Sequence, residues 1–165
     1  MRTRIRTYLL FLFLVTAFTG PLYPQKINRL PPLNQTILEY VESVVGTRVD
    51  RGECWDLARQ ALDRSEANWD GRYRFGRVIR PKREEVLPGD IVQFEKVVIR
   101  YTINHTTYTE NYDHHTAIVY RVKGKGRYEL AHQNTGFSGR TVGISPLNPD
   151  HVIRGKITFY RPVSE

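Results

Sequence analysis

The stretch that decides the fold is Gly52-Glu53-Cys54-Trp55-Asp56-Leu57-Ala58. Ala61 and Leu62 continue its apolar spacing at steps of three and four, which predicts an amphipathic helix that begins near Gly52. Cys54 is therefore expected in the first turn, where free N–H groups and the positive end of the helix dipole lower the pKa of a thiol. The same N–H groups can hold the oxyanion formed when a carbonyl is attacked. Cys54 is thus a candidate nucleophile, and the alternative is a small buried apolar residue on the helix face.

The first 25 residues are set apart by charge and hydropathy. Arg2, Arg4 and Arg6 precede an apolar stretch that runs from Tyr8 to Phe18. This pattern predicts a secretory signal peptide over residues 1–25, with an uncleaved N-terminal anchor as the alternative. The apolar stretch is about half of the roughly 20 residues that a membrane-spanning helix needs. We therefore expect a secreted or periplasmic protein with no stable membrane span after cleavage.

The segment between the apolar stretch and the cysteine predicts a linker and one helix. Residues 26–33, with Pro31 and Pro32, are expected to form an extended lead-in. From Asn34, a plausible helix cap, apolar residues recur at helical spacing until Gly46. Residues 34–165 have a length that is common for one domain with one core.

The remainder of the chain predicts a polar connection followed by a sheet. Residues 68–83 are polar and basic, and Pro88-Gly89-Asp90 is a turn that opens a strand. Apolar and β-branched residues then alternate, with a hairpin expected around Asn104-His105 and a turn at residues 123–126. Helices followed by an antiparallel sheet indicate the α+β class. The predicted strands are residues 91–94, 97–104, 106–112, 115–122, 127–134 and 152–160.

Three polar residues at strand ends are candidates to assist Cys54. His115 begins the strand His115-Thr116-Ala117-Ile118-Val119 and is the candidate general base, whereas His114 points to the opposite face. His132 and Asn134 end the next predicted strand and share a face, so either is expected to approach His115 across the hairpin. That residue would orient the imidazole and fix its tautomer, as the third member of a catalytic triad does. The alternatives are a buried structural histidine and a turn-forming asparagine.

Charge and cysteine content restrict the classes of function. The 25 lysines and arginines exceed the 17 acidic residues by 8, and removal of three arginines with the signal peptide leaves 22 minus 17, or +5. This surplus favours an anionic surface. It does not indicate a nucleic-acid partner, because the basic residues are spread over loops without a stacking motif. Cys54 is the single cysteine, so it forms no internal disulfide.

Four motifs in this order resemble the CHAP and NlpC/P60 amidases. They are the Gly-x-Cys helix start, the Pro-Gly-Asp strand opener, the His-x-Ala-Ile-Val strand and the Gln-Asn strand end, which together extend from about Gly46 to Pro162. The resemblance implies a papain-like fold with N-terminal helices packed on an antiparallel sheet. It further implies hydrolysis of amide bonds in peptidoglycan or related peptides through an acyl-enzyme, without a cofactor.

The resemblance also assigns roles to the candidate residues. It implies that Cys54 is the nucleophile, His115 the general base and Asn134 a polar helper. The acidic residue of CHAP domains falls on His132 here, which departs from the CHAP pattern, although NlpC/P60 enzymes use histidine as third member. The subfamily therefore remains open.

Other interpretations compete with the amidase. Gly-Glu-Cys-Trp-x-Leu-Ala with His-His-Thr-Ala-Ile also resembles the cysteine-proteinase-fold domain attached to some fungal and plant proline-rich proteins, which leaves the substrate open. A binding module that keeps the fold without turnover is the second class of function, and a related acyltransferase is another. A metal site built from Asp113, His114, His115 and His132 is disfavoured because adjacent strand residues point to opposite faces.

Overall fold

Two helices and a six-stranded antiparallel sheet make up the described part of the protein, as the α+β prediction requires. The computed structural model describes residues 30–164, so the predicted signal peptide lies outside the described residues. The sheet has the strand order β1-β6-β2-β3-β4-β5. Its elements in chain order are α1 Pro32–Val44, α2 Cys54–Arg64, β1 Arg77–Ile79, β2 Ile91–Ile103, β3 Thr106–Gly124, β4 Arg127–His132, β5 Gly143–Leu147, a 3-10 turn Pro149–His151 and β6 Val152–Arg161.

Helix α1 begins earlier than the sequence predicted. Pro32 occupies the first position, where the missing N–H of proline costs nothing. Asn34 is consequently inside the helix and is not its cap, and the predicted lead-in ends at Pro31. The buried Asn34 side chain instead donates hydrogen bonds to Pro88 O and Asp90 Oδ1, both at 2.9 Å. These bonds tie α1 to the start of β2.

Helix α2 begins at Cys54, so the prediction that Cys54 lies in the first turn is confirmed. The N–H of Glu53, the cap residue, donates to Asp56 Oδ2 at 3.1 Å. Asp56 is buried and also accepts a hydrogen bond from Arg51 Nη2 at 2.6 Å. A carboxylate in the first helical turn interacts favourably with the helix dipole, so the helix start is well defined.

Strands β2 and β3 form one long hairpin. Ile103 pairs with Thr106 across a two-residue turn in which Asn104 and His105 have φ of 47° and 65°. Positive φ at both positions is the backbone of a turn that matches strand twist. The hairpin predicted at Asn104-His105 is confirmed. The strands predicted separately on each side of Asp113 are continuous, and β3 runs from Thr106 to Gly124.

Two strands were not predicted, and one ends early. Strand β1 lies within the predicted connection 68–83, and β5 lies in a segment that contains Gly143 and Pro146. Strand β4 ends at His132 and not at Asn134, because Asn134 has a φ of 60° and leaves the extended conformation. His132 and Asn134 therefore do not share a strand face.

The two faces of the sheet carry separate core clusters. Ile91, Ile118 and Ala131 join the buried residues of both helices in one cluster. Ala117, Val119 and other strand residues form the second cluster on the opposite face. The alternation predicted for residues 115–119 is confirmed. In the described part of the chain, no helix has the length and apolar character needed to cross a membrane.

Candidate active site

The Cys54 thiol lies where the start of α2 meets an unpaired edge of β3. Strand β4 pairs with β3 only from Ile118 onward. The N–H of Val119 bonds to Asp90 O on the β2 side, so by alternation the N–H of Thr116 points to the other side. The sulfur of Cys54 lies against this Thr116 backbone group. The residue before Thr116 is His115, so the strand that carries the candidate base passes beside the sulfur.

Free backbone N–H groups surround the sulfur. Those of Cys54, Trp55 and Thr116 act on the thiol. Among the backbone hydrogen bonds of residues 30–164 outside regular elements, none uses the N–H of Cys54 or Trp55. The first N–H groups of a helix lack partners within the helix. They are therefore available to hold an oxyanion.

A chain of hydrogen bonds connects His115 to the edge of the sheet. His115 Nε2 lies 2.9 Å from His132 Nδ1, and His132 Nε2 lies 2.8 Å from Ser145 Oγ. Strand register places the three side chains on one face of the sheet. Leu130 shares the face of His132 and pairs with Val119 on one side and with Ser145 on the other. Val119 in turn shares the face of His115. The structure thus selects His132 as the partner of His115. Nδ1 is the His115 nitrogen that this chain leaves unused.

Aromatic rings enclose the two histidines. The ring centroid of His115 lies 4.7 Å from that of Tyr112 and 5.9 Å from that of Phe94, and His132 lies 5.5 Å from Phe137. Both imidazoles are buried, with exposures of 5% and 2%. Burial lowers the pKa of His115 to about 4. Burial, with a smaller effect of His115, lowers the pKa of His132 to about 3. Both rings are therefore neutral at pH 7.

The thiol has a higher pKa than the sequence predicted. Burial raises the pKa of Cys54, and the neighbouring backbone N–H groups lower it by less. The expectation that the helix start lowers the thiol pKa is therefore wrong in its net direction, because the cost of burying a thiolate is larger. Cys54 therefore rests as a neutral thiol at pH 7.

Gln133 fixes the segment that leads into α2. Its fully buried amide accepts a hydrogen bond from Val49 N at 3.1 Å and donates to Val49 O at 2.9 Å and Glu53 O at 2.8 Å. These bonds reach Glu53, the residue directly before Cys54. Gln133 was not predicted as a site residue, although it stands between two residues that were. Ser145 was missed too, since only the register of β5 reveals it.

Among the hydrogen bonds of the described chain, none joins Asn134 to His115, and Asn134 contacts the residue before the cysteine. Its Nδ2 donates to Glu53 Oε2 at 2.7 Å. Arg140 contacts the second oxygen of the same carboxylate at 3.0 Å and donates to Arg51 O at 2.7 Å. Of the two residues left open as the partner of His115, the hydrogen bonds select His132, because the left-handed backbone at Asn134 turns the chain toward Glu53.

His114 and Trp55 belong to an aromatic cluster on the helix side. The ring centroids of His114 and Tyr73 are 4.1 Å apart, and Trp55 packs against Trp69 at 5.8 Å. Trp55 Nε1 donates to Arg72 O at 2.8 Å. The placement of His114 opposite His115 is confirmed. Across residues 30–164, no group of three or more His, Cys, Asp or Glu is arranged to hold a metal ion.

Comparison with known proteins identifies the relatives of this chain. A family model described as the AIM3/BBC1 cysteine proteinase-fold domain matches residues 33–165. The search of curated proteins gave no match. A solved structure described as "The crystal structure of Ly7917" is 18% identical, with a TM-score of 0.48 over 77% of this chain. This chain spans 62% of the length of that solved chain.

Proposed function

This chain belongs to the AIM3/BBC1 cysteine proteinase-fold domain family, and from that premise we propose that it is a cysteine hydrolase that cleaves amide bonds. Cys54 is the nucleophile in this proposal, and His115 is the general base. We infer further that the helices and sheet follow the papain-like arrangement of the NlpC/P60 and CHAP amidases. A signal peptide over residues 1–25 and a secreted or periplasmic location remain predictions from the sequence.

One observation carries the proposal. The sulfur of Cys54 lies against the backbone of Thr116, whose neighbour His115 engages His132 through Nε2. The remaining ring nitrogen of His115 is Nδ1, and it is the one available to accept a proton from the thiol. A nucleophile, a base and an orienting partner of the base are the groups that covalent acyl transfer requires.

The raised thiol pKa determines how this pair would act. Both Cys54 and His115 are neutral at pH 7, so the proton moves from sulfur to Nδ1 as the sulfur attacks the carbonyl carbon. The N–H groups of Cys54 and Trp55 stabilise the oxyanion. His115 then returns the proton to the leaving amine, and water hydrolyses the acyl-enzyme. The mechanism is general-base catalysis without a resting thiolate.

The substrate class is inferred from the resemblance and from the charge of the chain. The resemblance to wall amidases favours peptidoglycan or a related peptide, and the surplus of basic residues favours an anionic polymer. We therefore propose peptide amide bonds as the substrate, with peptidoglycan as the first polymer to test.

A binding module is the second candidate function. It is favoured by the raised pKa of Cys54 and by the absence, among the hydrogen bonds of the described chain, of one that joins Cys54 to His115. In this alternative the domain keeps a buried, unreactive thiol as a packing residue and binds a partner without turnover.

The deciding experiment is the rate of Cys54 alkylation by iodoacetamide between pH 4 and 10, in the parent protein and in His115→Ala. His114→Ala is the matched control, because His114 is the adjacent histidine on the other face. In the hydrolase, His115 keeps its neutral ring down to about pH 4 and takes the thiol proton as the sulfur attacks the reagent. The reaction is then expected to persist well below the pH of about 8.5 at which a free thiol titrates and to be lost only in His115→Ala. A rate that rises only near or above that pH, and equally in all three proteins, would leave the binding module.

A further inference from the structure

Ser145 ends the hydrogen-bond chain that begins at the candidate base. It lies half-buried on the edge strand β5, and its hydroxyl oxygen is 2.8 Å from His132 Nε2. His132 is almost completely buried, with an exposure of 2%. Among the described residues, Ser145 is the one side chain that hydrogen-bonds to this nitrogen.

We propose that Ser145 is a positioning residue that lets His132 carry its proton on Nε2 and thereby leaves His115 Nδ1 free to act as the base. The inference rests on the proposed function, since it concerns the same base. It adds a fourth residue to the site, at a distance from the reacting atoms.

The proton pattern of the two rings is tightly coupled. A neutral imidazole carries one N–H, and a single proton lies between His115 Nε2 and His132 Nδ1. If His132 carries its proton on Nε2, its Nδ1 accepts the hydrogen bond from His115 Nε2–H, and His115 Nδ1 is free to accept the thiol proton. If His132 carries its proton on Nδ1, His115 must carry its own on Nδ1, where it blocks the base.

Ser145 supplies the acceptor that the first pattern needs. A buried N–H without an acceptor is costly, and orphaned N–H groups are rare in proteins. In the first pattern the hydroxyl oxygen of Ser145 accepts the hydrogen bond from His132 Nε2–H, and in the second pattern the hydroxyl would donate its own proton to the unprotonated Nε2. Removal of the hydroxyl leaves Nε2–H without a partner. The proton of His132 then moves to Nδ1. His115 consequently carries its own proton on Nδ1 and cannot accept the thiol proton there.

The direct test is nitrogen NMR of the histidine rings in the resting protein at pH 7. We expect His132 Nε2 and His115 Nε2 to be protonated and His115 Nδ1 to be unprotonated. In Ser145→Ala both rings should change to the Nδ1–H form. An unprotonated His132 Nε2 in the parent protein would overturn the proposal, whether or not the variant folds.

Alkylation of Cys54 at pH 6 tests the consequence. We expect Ser145→Ala to react at least about tenfold more slowly, the range typical of lost outer partners of a site histidine. Ser145→Thr retains the hydroxyl and should stay close to the parent rate, as should Ser43→Ala on the exposed surface of α1. Equal rates in Ser145→Ala and the parent overturn the proposal when the parent thiol is activated. When the parent thiol is inert, the proposed function fails, and the NMR result alone decides the role of Ser145.

Discussion

The side-chain amide of Gln133 donates a hydrogen bond to the backbone oxygen of Glu53 at 2.8 Å, across 80 positions of the chain. Two further bonds join the same amide to Val49. The end of β4 therefore fixes both the residue before the cysteine and the loop that leads to it. The geometry of the candidate nucleophile depends on a side chain that performs no chemistry.

The Gln133→Glu variant tests this support. A carboxylate has no N–H to donate, and its oxygens would face the backbone oxygens of Val49 and Glu53. Since loss of a buried hydrogen-bond partner costs about 1–3 kcal/mol for each group left unsatisfied, we expect the free energy of unfolding in urea to fall by about 3 kcal/mol. Asn134→Asp, which changes an exposed amide to a carboxylate next door, is the control and should cost less. Equal stability of Gln133→Glu and the parent would contradict this role.

The identity of the orienting residue gives a second prediction. His132→Ala removes the partner of His115 Nε2, whereas Asn134→Ala removes a contact to Glu53. We expect the alkylation rate of Cys54 at pH 6 to fall about tenfold or more in His132→Ala and to remain near the parent rate in Asn134→Ala. A larger loss of rate in Asn134→Ala than in His132→Ala would contradict this prediction and would support Asn134 as the polar helper that the family resemblance implied.

The pH dependence of stability follows from the two buried histidines. Their pKa values fall from 6.5 to about 4 for His115 and about 3 for His132. The unfolded chain then binds more protons than the folded protein below pH 6.5, so acid favours unfolding. Two protons correspond to a slope approaching roughly 2.7 kcal/mol per pH unit between about pH 6 and pH 4. Stability should therefore be constant near pH 7 to 8 and fall as the pH drops below 6.5.

Urea unfolding at half-unit steps of pH measures this slope. Carboxyls with a lowered pKa, such as Asp56 and Glu84, add to the slope mainly below about pH 5, since their ordinary pKa values are 3.8 and 4.5. His105→Asn is the matched control because His105 is exposed in the hairpin turn, and asparagine tolerates its positive φ. The control should keep the parent slope. A flat profile between pH 6.5 and 4.5 in the parent would mean that the two rings are not buried as neutral groups.

A buried ion pair joins the turn before β2 to the end of β6 and gives a fourth prediction. Arg161 Nε and Nη2 contact the two oxygens of Asp90 at 3.0 and 2.9 Å, and Asp90 is fully buried. Removal of one partner of a buried pair costs about 3–5 kcal/mol, so Asp90→Ala should lower the free energy of unfolding by that amount. Glu84→Ala breaks the exposed pair with Arg77 and should cost at most about 1 kcal/mol. A comparable decrease in the free energy of unfolding in the two variants would contradict the conclusion that burial makes the Asp90–Arg161 pair the more important one for stability.

Sequence patterns within single helices, strands and turns predicted much of the fold. Contacts between distant elements could not be predicted from the sequence. The helix at Cys54, the alternation of residues 115–119 and the turn at Asn104-His105 each follow from local spacing. Strand β5 was missed because its residues gain their extended form by pairing with β4, and Pro146 argues against a strand.

The errors at the site have the same origin. The raised pKa of Cys54 depends on burial by segments distant in sequence, whereas the helix-start argument used local residues alone. The choice between His132 and Asn134 depended on one backbone angle, the φ of 60° at Asn134. Asparagine adopts this conformation more readily than other non-glycine residues, but its presence does not require it.

The long reach of the Gln133 contacts also has a consequence for folding kinetics. Contacts between residues so far apart in the chain form slowly, because a large loop must close before they contribute. The helix that carries Cys54 is made of neighbouring residues and can form early, while Gln133, His132 and His115 arrive with the sheet. The cysteine thus passes through folding as an ordinary thiol, and its special environment exists only after the whole chain has come together. A change in its alkylation rate is accordingly a signal of completed folding, which pulses of alkylating reagent during refolding would record.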